Sequence, residues 1–300
     1  MKKVLFATTA LVASAGIASA QGVEVSGFAE MGVIGGTGVE LQFHQDIEVT
    51  FTMSGETDNG LTFGASVQLD EGGTTGAGTV TTDDQGYAVF LSGSFGTLTM
   101  GDTDGAFDWA LTEVAMGGSL GDDHTGHSGY NGNAGLDGNY DGQVVRYNHS
   151  VGDFSFAVSA EIDDAGVGDP IFGVGLQYSS DLGGTTLGVG LGYQTGGPAA
   201  TDEAIGLSLT AAMDSGIEAR LNWSEVSEAG VSSQHIGVGL GYTMDAVTVA
   251  VNWGQYETGG VTTDGFGLAA NYDLGGGAVA QFGYGSGATD TFSLGIAMSF

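Results

Sequence analysis

The 300 residues predict an all-β fold, a transmembrane antiparallel β-barrel of about 16 strands whose long third outer loop folds into the lumen. Three features carry that expectation. Apolar side chains alternate with small or polar ones over most of the chain, and the apolar runs end near aromatics. No run reaches the roughly 18 uninterrupted apolar residues of a spanning helix, because glycine or a polar residue breaks each one. The end of the chain shows the pattern: Phe292, Leu294, Ile296, Met298 and Phe300 fall on one side of a strand, and Thr291, Ser293, Gly295, Ala297 and Ser299 on the other. In water such an edge invites aggregation, whereas in a membrane the apolar face meets lipid.

Taken in order, residues 1–20 read as a cleaved secretory signal, with Lys2 and Lys3, an apolar run over 4–17, and Ala18-Ser19-Ala20 at the cleavage site. The barrel domain then occupies residues 21–300. Outward phases begin with Val23, Val25, Ala29 and Met31, then Leu41, Phe43, Ile47, Val49, Phe51 and Met53, then Leu61, Phe63, Ala65, Val67 and Leu69. Short strands follow over residues 87–91 and 98–100, then outward Val145 and Tyr147, then Phe154, Phe156 and Val158. The second half repeats the design with Phe172 to Tyr178, Leu187 to Tyr193, Ile205 to Leu209, Ile217 to Trp223, Ile236 to Tyr242, Val247 to Trp253, Phe266 to Tyr272, and Phe282 with Tyr284. An even strand count brings both termini to one side, the periplasm, and a barrel of this size leaves an aqueous channel. Sending the first strand outward places Tyr193, Trp223, Trp253 and Tyr284 at one rim and Tyr147, Tyr178, Tyr242, Tyr272 and Phe300 at the other, two aromatic girdles of the kind a lipid interface selects. Short periplasmic turns are expected to alternate with longer outer loops.

Residues 102–142 break the strand pattern, and a loop of that length is either functional or misassigned. It carries Asp102, Asp104, Asp108, Glu113, Asp122, Asp123, Asp137 and Asp141, with Trp109, Leu111, Val114 and Met116 interleaved as apolar anchors. A loop so built folds back onto the wall, narrows the bore and hangs carboxylates in the path of solutes.

Charge sharpens the picture. The chain has 36 acidic residues against Lys2, Lys3, Arg146 and Arg220, so removing the signal leaves 2 basic side chains and a formal charge of −34. Nucleic acid is a poor partner for such a surface and small cations are good ones. With no cysteine, stability must come from burial or from closing the sheet.

The segments VEVSGFAEMGV at 23–33, VTFTMSGETDNGLTFGASV at 49–67, VFLSGSFGTLTMGD at 89–102, NYDLGGGA at 271–278 and the terminal Phe300 resemble the general diffusion porins of the α-proteobacterial outer membrane, the Rhodobacter type. The resemblance implies a homotrimer of 16-stranded barrels in the Gram-negative outer-membrane bilayer, insertion by the barrel-assembly machinery through the C-terminal strand, and passive diffusion of small hydrophilic solutes. It implies that the loop bearing Asp102, Asp104, Asp108, Glu113, Asp122 and Asp123 forms the constriction. It also implies that the first and last strands meet near the trimer axis and that residues 71–85 reach a neighbouring subunit.

This chain departs from that family where related porins often carry wall arginines, since the inward phase of its second strand is Glu40, Gln42, His44, Asp46 and Glu48. The transverse field should be weak, and the channel cation-preferring. Strand phase also sends Glu30, Arg146, Glu218 and Arg220 to the lumen wall. Two roles stay open for the arginines: facing solutes, or pairing locally, Arg220 with Glu218 and Arg146 with loop acids.

No cofactor is required, and calcium is the one candidate, at Asp102, Asp104, Asp122 and Asp123. His124 and His127 lack a helix that would set both rings on one metal, His44 and His235 read as wall residues, and the calcium-repeat-like GNAGLDGNY at 132–140 occurs once. A barrel enzyme is disfavoured by the missing GxSxG and by His149 having no nucleophile partner. The alternative is an acidic, calcium-binding secreted or surface β-protein without pore activity.

Overall fold

The computed structural model describes residues 22–72, 86–121, 135–140, 142–163, 165–198 and 202–300. The expected signal, most of the second outer loop, and Asp122, Asp123, His124 and His127 lie outside the described residues. Sixteen strands form one closed barrel in which each pairs antiparallel with its sequence neighbours. They are β1 (Gly22–Gly36), β2 (Val39–Glu56), β3 (Thr62–Gly72), β4 (Tyr87–Gly93), β5 (Gly96–Asp102), β6 (Gln143–Val151), β7 (Phe154–Glu161), β8 (Asp169–Asp181) and β9 (Thr185–Gly197). The ring continues with β10 (Glu203–Met213), β11 (Ile217–Glu228), β12 (Val231–Met244), β13 (Val247–Thr258), β14 (Val261–Gly275), β15 (Ala278–Ser286) and β16 (Thr291–Ser299). The ring closes where β1 meets β16, in register from Phe28 opposite Ser299 to Gly36 opposite Thr291. Closure satisfies the backbone of both terminal strands and leaves no edge. Among the described residues no helix is long and apolar enough to cross a membrane.

Alternation sets the register. Leu176, Leu191, Ile205, Val238 and Val251 are exposed on the outside, while their neighbours Gly175, Gly192, Ala204, Gly237 and Ala250 are buried. A slip of one residue would exchange the two faces of a strand. The apolar band is bounded as well as continuous. Trp223 lies opposite Ile236 and Trp253 opposite Phe266, and one outward step beyond them Glu225 faces Gln234 and Gln255 faces Asp264. There the Gln234 amide donates to Glu225 at 3.1 Å and the Trp253 indole N–H to Asp264 at 3.3 Å. A lipid boundary explains this switch from hydrocarbon through aromatic to carboxylate on one face.

The hairpins correct one expectation. At the end of the barrel that bears residues 103–142, β1–β2, β11–β12 and β13–β14 are joined by two-residue turns, Thr37-Gly38, Ala229-Gly230 and Gly259-Gly260, so loops at that end are not uniformly long. Ala229 and Gly230 both take positive φ, 49° and 80°, the combination that matches the twist of paired strands in a two-residue hairpin.

Candidate functional site

The long loop opens with a short helix, α1 (Ala106–Ala110), which the strand-based reading did not foresee. From there it runs along the inner wall rather than out into solvent. Ser159 of β7 accepts from Ala106 N–H at 2.8 Å, and the Gln177 amide of β8 donates to the Trp109 carbonyl at 2.7 Å. Ser208 of β10 accepts from Thr112 N–H at 3.0 Å, and the Asn222 amide of β11 donates to the Thr112 carbonyl at 3.0 Å. Asn271 of β14 both donates to the Gly118 carbonyl (2.7 Å) and accepts from Gly118 N–H (2.8 Å). Ser293 of β16 accepts from Leu120 N–H at 3.2 Å, and Glu30 of β1 from Gly121 N–H at 2.6 Å. The returning segment is held by Gln194 on Leu136 N–H (2.8 Å) and by Glu161 on Gly138 and Gly142 N–H (3.1 and 3.0 Å). Buried backbone polar groups need partners, and here inward polar side chains of the wall supply them.

Glycine makes the close approach possible. A Cβ at Gly175 would stand 2.1 Å from the Ala106 carbonyl oxygen, at Gly190 2.0 Å from that of Ala110, and at Gly239 2.2 Å from that of Val114. The loop backbone therefore occupies space that any larger wall residue would fill. Phe107, Leu111 and Leu136 complete the seat in one apolar cluster with Ile171 and Ala204, and Met116 packs with Ala250 and Ala269 in another. Of the expected anchors, Leu111, Val114 and Met116 are buried, but Trp109 is only half-buried; Phe107, Leu120 and Leu136 anchor the loop where sequence reasoning placed Trp109.

Between loop and wall lies a cavity of about 440 Å³. Glu48, Gln68 and Asp70 line it from β2 and β3, Asp102 from the end of β5, and Thr103, Asp104, Asp108 and Asp137 from the loop. Its carboxylates come from both sides. Burial, reinforced by the charges of Asp104, Glu113 and Asp137 and only partly offset by Arg146, pushes the Asp108 carboxyl up to about 8. Asp137 is raised to about 6, again by burial first; its hydrogen bonds from Gly105 N–H (2.8 Å) and the Gln194 amide (2.5 Å) oppose the rise.

The remaining sequence-derived wall residues are placed as follows. Glu30 and His44 are buried and joined at 3.1 Å beneath Gly121, and Asp46 is buried nearby on the same face of β2. Glu40 is exposed, two residues beyond the Thr37-Gly38 turn, and Glu48 accepts from the Gln68 amide at 2.8 Å. Glu218 pairs with Arg220 at 2.7 Å. The arginines point inward, but toward the loop: Arg146 Nη1 donates to the Asp104 carbonyl at 2.5 Å, and Arg220 Nη1 to the Glu113 and Ala115 carbonyls at 3.2 and 2.8 Å. Backbone acceptors were not among the partners expected from sequence. His235 is buried on the wall against the Tyr256 ring, with centroids 4.8 Å apart. Among the described residues no three of His, Asp and Glu gather closely enough to hold a metal ion; of the four calcium candidates, Asp102 and Asp104 line the cavity and the other two lie outside the described residues.

A family model for Gram-negative porins matches residues 7–291. A porin of Rhodobacter capsulatus is 36% identical over 157 residues, which cover 49% of this chain and 46% of that protein, so the match spans about half the length of the relative. A refined porin structure superposes with a TM-score of 0.71 at 25% identity, over 93% of this chain and 100% of the other. A mutant of Rh. blastica porin gives 0.72 at 19% identity with the same coverage, a likeness of fold.

Proposed function

The chain belongs to the Gram-negative porin family, and from that premise we propose that it forms a water-filled channel through which ions and small hydrophilic solutes diffuse passively, with cations preferred. The observation that carries the preference is the acidic cavity: Glu48 and Asp70 on the wall and Asp102 at the end of β5 face Asp104 and Asp137 on the loop, where Asp108 adds its charge only at higher pH. Negative groups on both sides raise the local cation concentration and the barrier to anions, with little field across the bore. The constriction is the loop segment bearing Asp102, Asp104, Asp108 and Glu113.

The setting follows from the same premise. The exposed apolar band sits in the outer-membrane bilayer, the chain is exported by a cleaved signal, and it assembles as a homotrimer after insertion through the β16 end at Phe300. It catalyses no reaction and needs no cofactor; calcium is the one ion that Asp102 and Asp104 would attract besides passing cations.

Planar-bilayer reversal potentials in a salt gradient test the preference. A potential of the sign set by cation flux is expected; a value at zero or of the opposite sign refutes cation preference, and absence of any conductance refutes the channel itself.

A further inference from the structure

Arg146 and Arg220 are the only arginine or lysine side chains of the exported chain, and both end on the main chain of the loop. We propose that they are positioning residues, clamps that fix the constriction loop at two points and so set the bore, rather than cations offered to passing solutes. The inference rests on the channel reading above.

At the first point the Arg146 side chain is only 13% accessible, and its Nη1 lies 2.5 Å from the Asp104 carbonyl but 3.9 Å from the Asp104 carboxylate. The main chain is the nearer partner. Directly across the β6–β7 ladder Ser159 faces Arg146 and takes Ala106 N–H, so two adjacent strands grip residues 104–106 at the start of α1.

At the second point Glu218 holds the Arg220 Nε at 2.7 Å and thereby orients the guanidinium, whose Nη1 reaches the carbonyls of Glu113 and Ala115. Between them Val114 is buried, its side chain over Gly237 and its carbonyl against Gly239. Asp108 lies within the clamped stretch, and Asp104 and Glu113 stand at its two ends. A planar fork suits this geometry, since it can meet a carboxylate with one edge and two carbonyls with another, which a lysine ammonium on a flexible stem does not reproduce. The acceptors on the loop are neutral, so the clamps hold whether or not the loop acids are ionised.

The test compares Arg220→Met and Arg220→Lys in single-channel recordings, with reversal potentials and the size limit for neutral sugars measured on the same preparations. The methionine variant should replace one quiet conductance level by noisy sub-levels and admit larger sugars, while the cation-to-anion permeability ratio changes less than twofold. Lysine restores the charge but should not restore the quiet level. The chain has no cysteine, so Thr112→Cys with Ser208→Cys can be added as a strap where Thr112 N–H meets Ser208 Oγ at 3.0 Å. Oxidising this pair in the methionine background should bring back the quiet level, and reduction should abolish it. Full rescue by lysine overturns the proposal, as does a methionine variant that stays quiet with the original size limit while its cation preference climbs severalfold. Arg146→Met is read by the same criteria and decides the matter if Arg220→Met does not assemble. A silent unmodified protein would instead sink the channel reading.

Discussion

Asp108 gives a titration with a defined sign. Its carboxyl is held up to about 8, so near pH 7 it is mostly protonated, and raising the pH through 8 adds one negative charge to the acidic cavity. A unit charge about 5 Å from a passing ion is worth about 0.8 kcal/mol in bulk water; screening with a Debye length of about 10 Å at 0.1 M salt leaves about 0.5 kcal/mol. That charge favours a cation and opposes an anion by the same amount, a difference of about 1 kcal/mol, so the cation-to-anion permeability ratio should rise about fivefold as Asp108 ionises between pH 7 and 9, at 1.4 kcal/mol per tenfold. Reversal potentials measured in 0.1 M salt across that range read the effect, and Asp108→Asn should flatten the curve. Linkage runs the other way for docking: between 3.8 and about 8 the folded loop keeps a proton that the unfolded chain releases, so the loop is held less firmly as pH rises through that window. A flat titration in the unmodified channel, or an equal rise in Asp108→Asn, would show that the buried carboxyl does not act on the permeation path.

Three further outcomes are expected. Gly190→Val drives a side chain into the Ala110 carbonyl, where a Cβ alone would stand 2.0 Å away, so the loop should lift at an overpacking penalty of about 1–3 kcal/mol; sugar-permeation assays should show a larger size limit on a barrel that still forms. Phe107→Ala empties a fully buried seat and should weaken loop docking by about 3–5 kcal/mol, read as faster cleavage within residues 103–142 by added protease. Cation preference should shrink as salt approaches 1 M, where the Debye length is about 3 Å; persistence of the full preference there would point to a dehydrated binding step instead of long-range attraction.

The barrel is legible because lipid imposes a strict rule on every strand. Phe172 to Tyr178 and Val247 to Trp253 must alternate or the outer face fails, and the sixteen strands follow from that alternation. The loop obeys no such rule. Phe107 and Leu120 are buried against inward glycines and Leu136 beside Phe107 and Ile171, so their packing leaves no period in the sequence, and α1 is a single short turn whose N-cap, Gly105, offers no side-chain cap to announce it. Strand phase alone sends the arginines inward, yet Arg220 meets carbonyls 105 and 107 positions away, and backbone acceptors are invisible to a motif search. The two-residue turns at Ala229-Gly230 and Gly259-Gly260 could have been found, since a left-handed pair needs glycine or a small residue.

The inward glycines of β8, β9 and β12 act as a mould in which the constriction is cast. The contour of the narrow passage is therefore inherited from the wall as much as from the segment that forms it, and a redesign of the aperture has to begin by recutting the mould, because new loop sequences laid over the old relief will settle into the same cast.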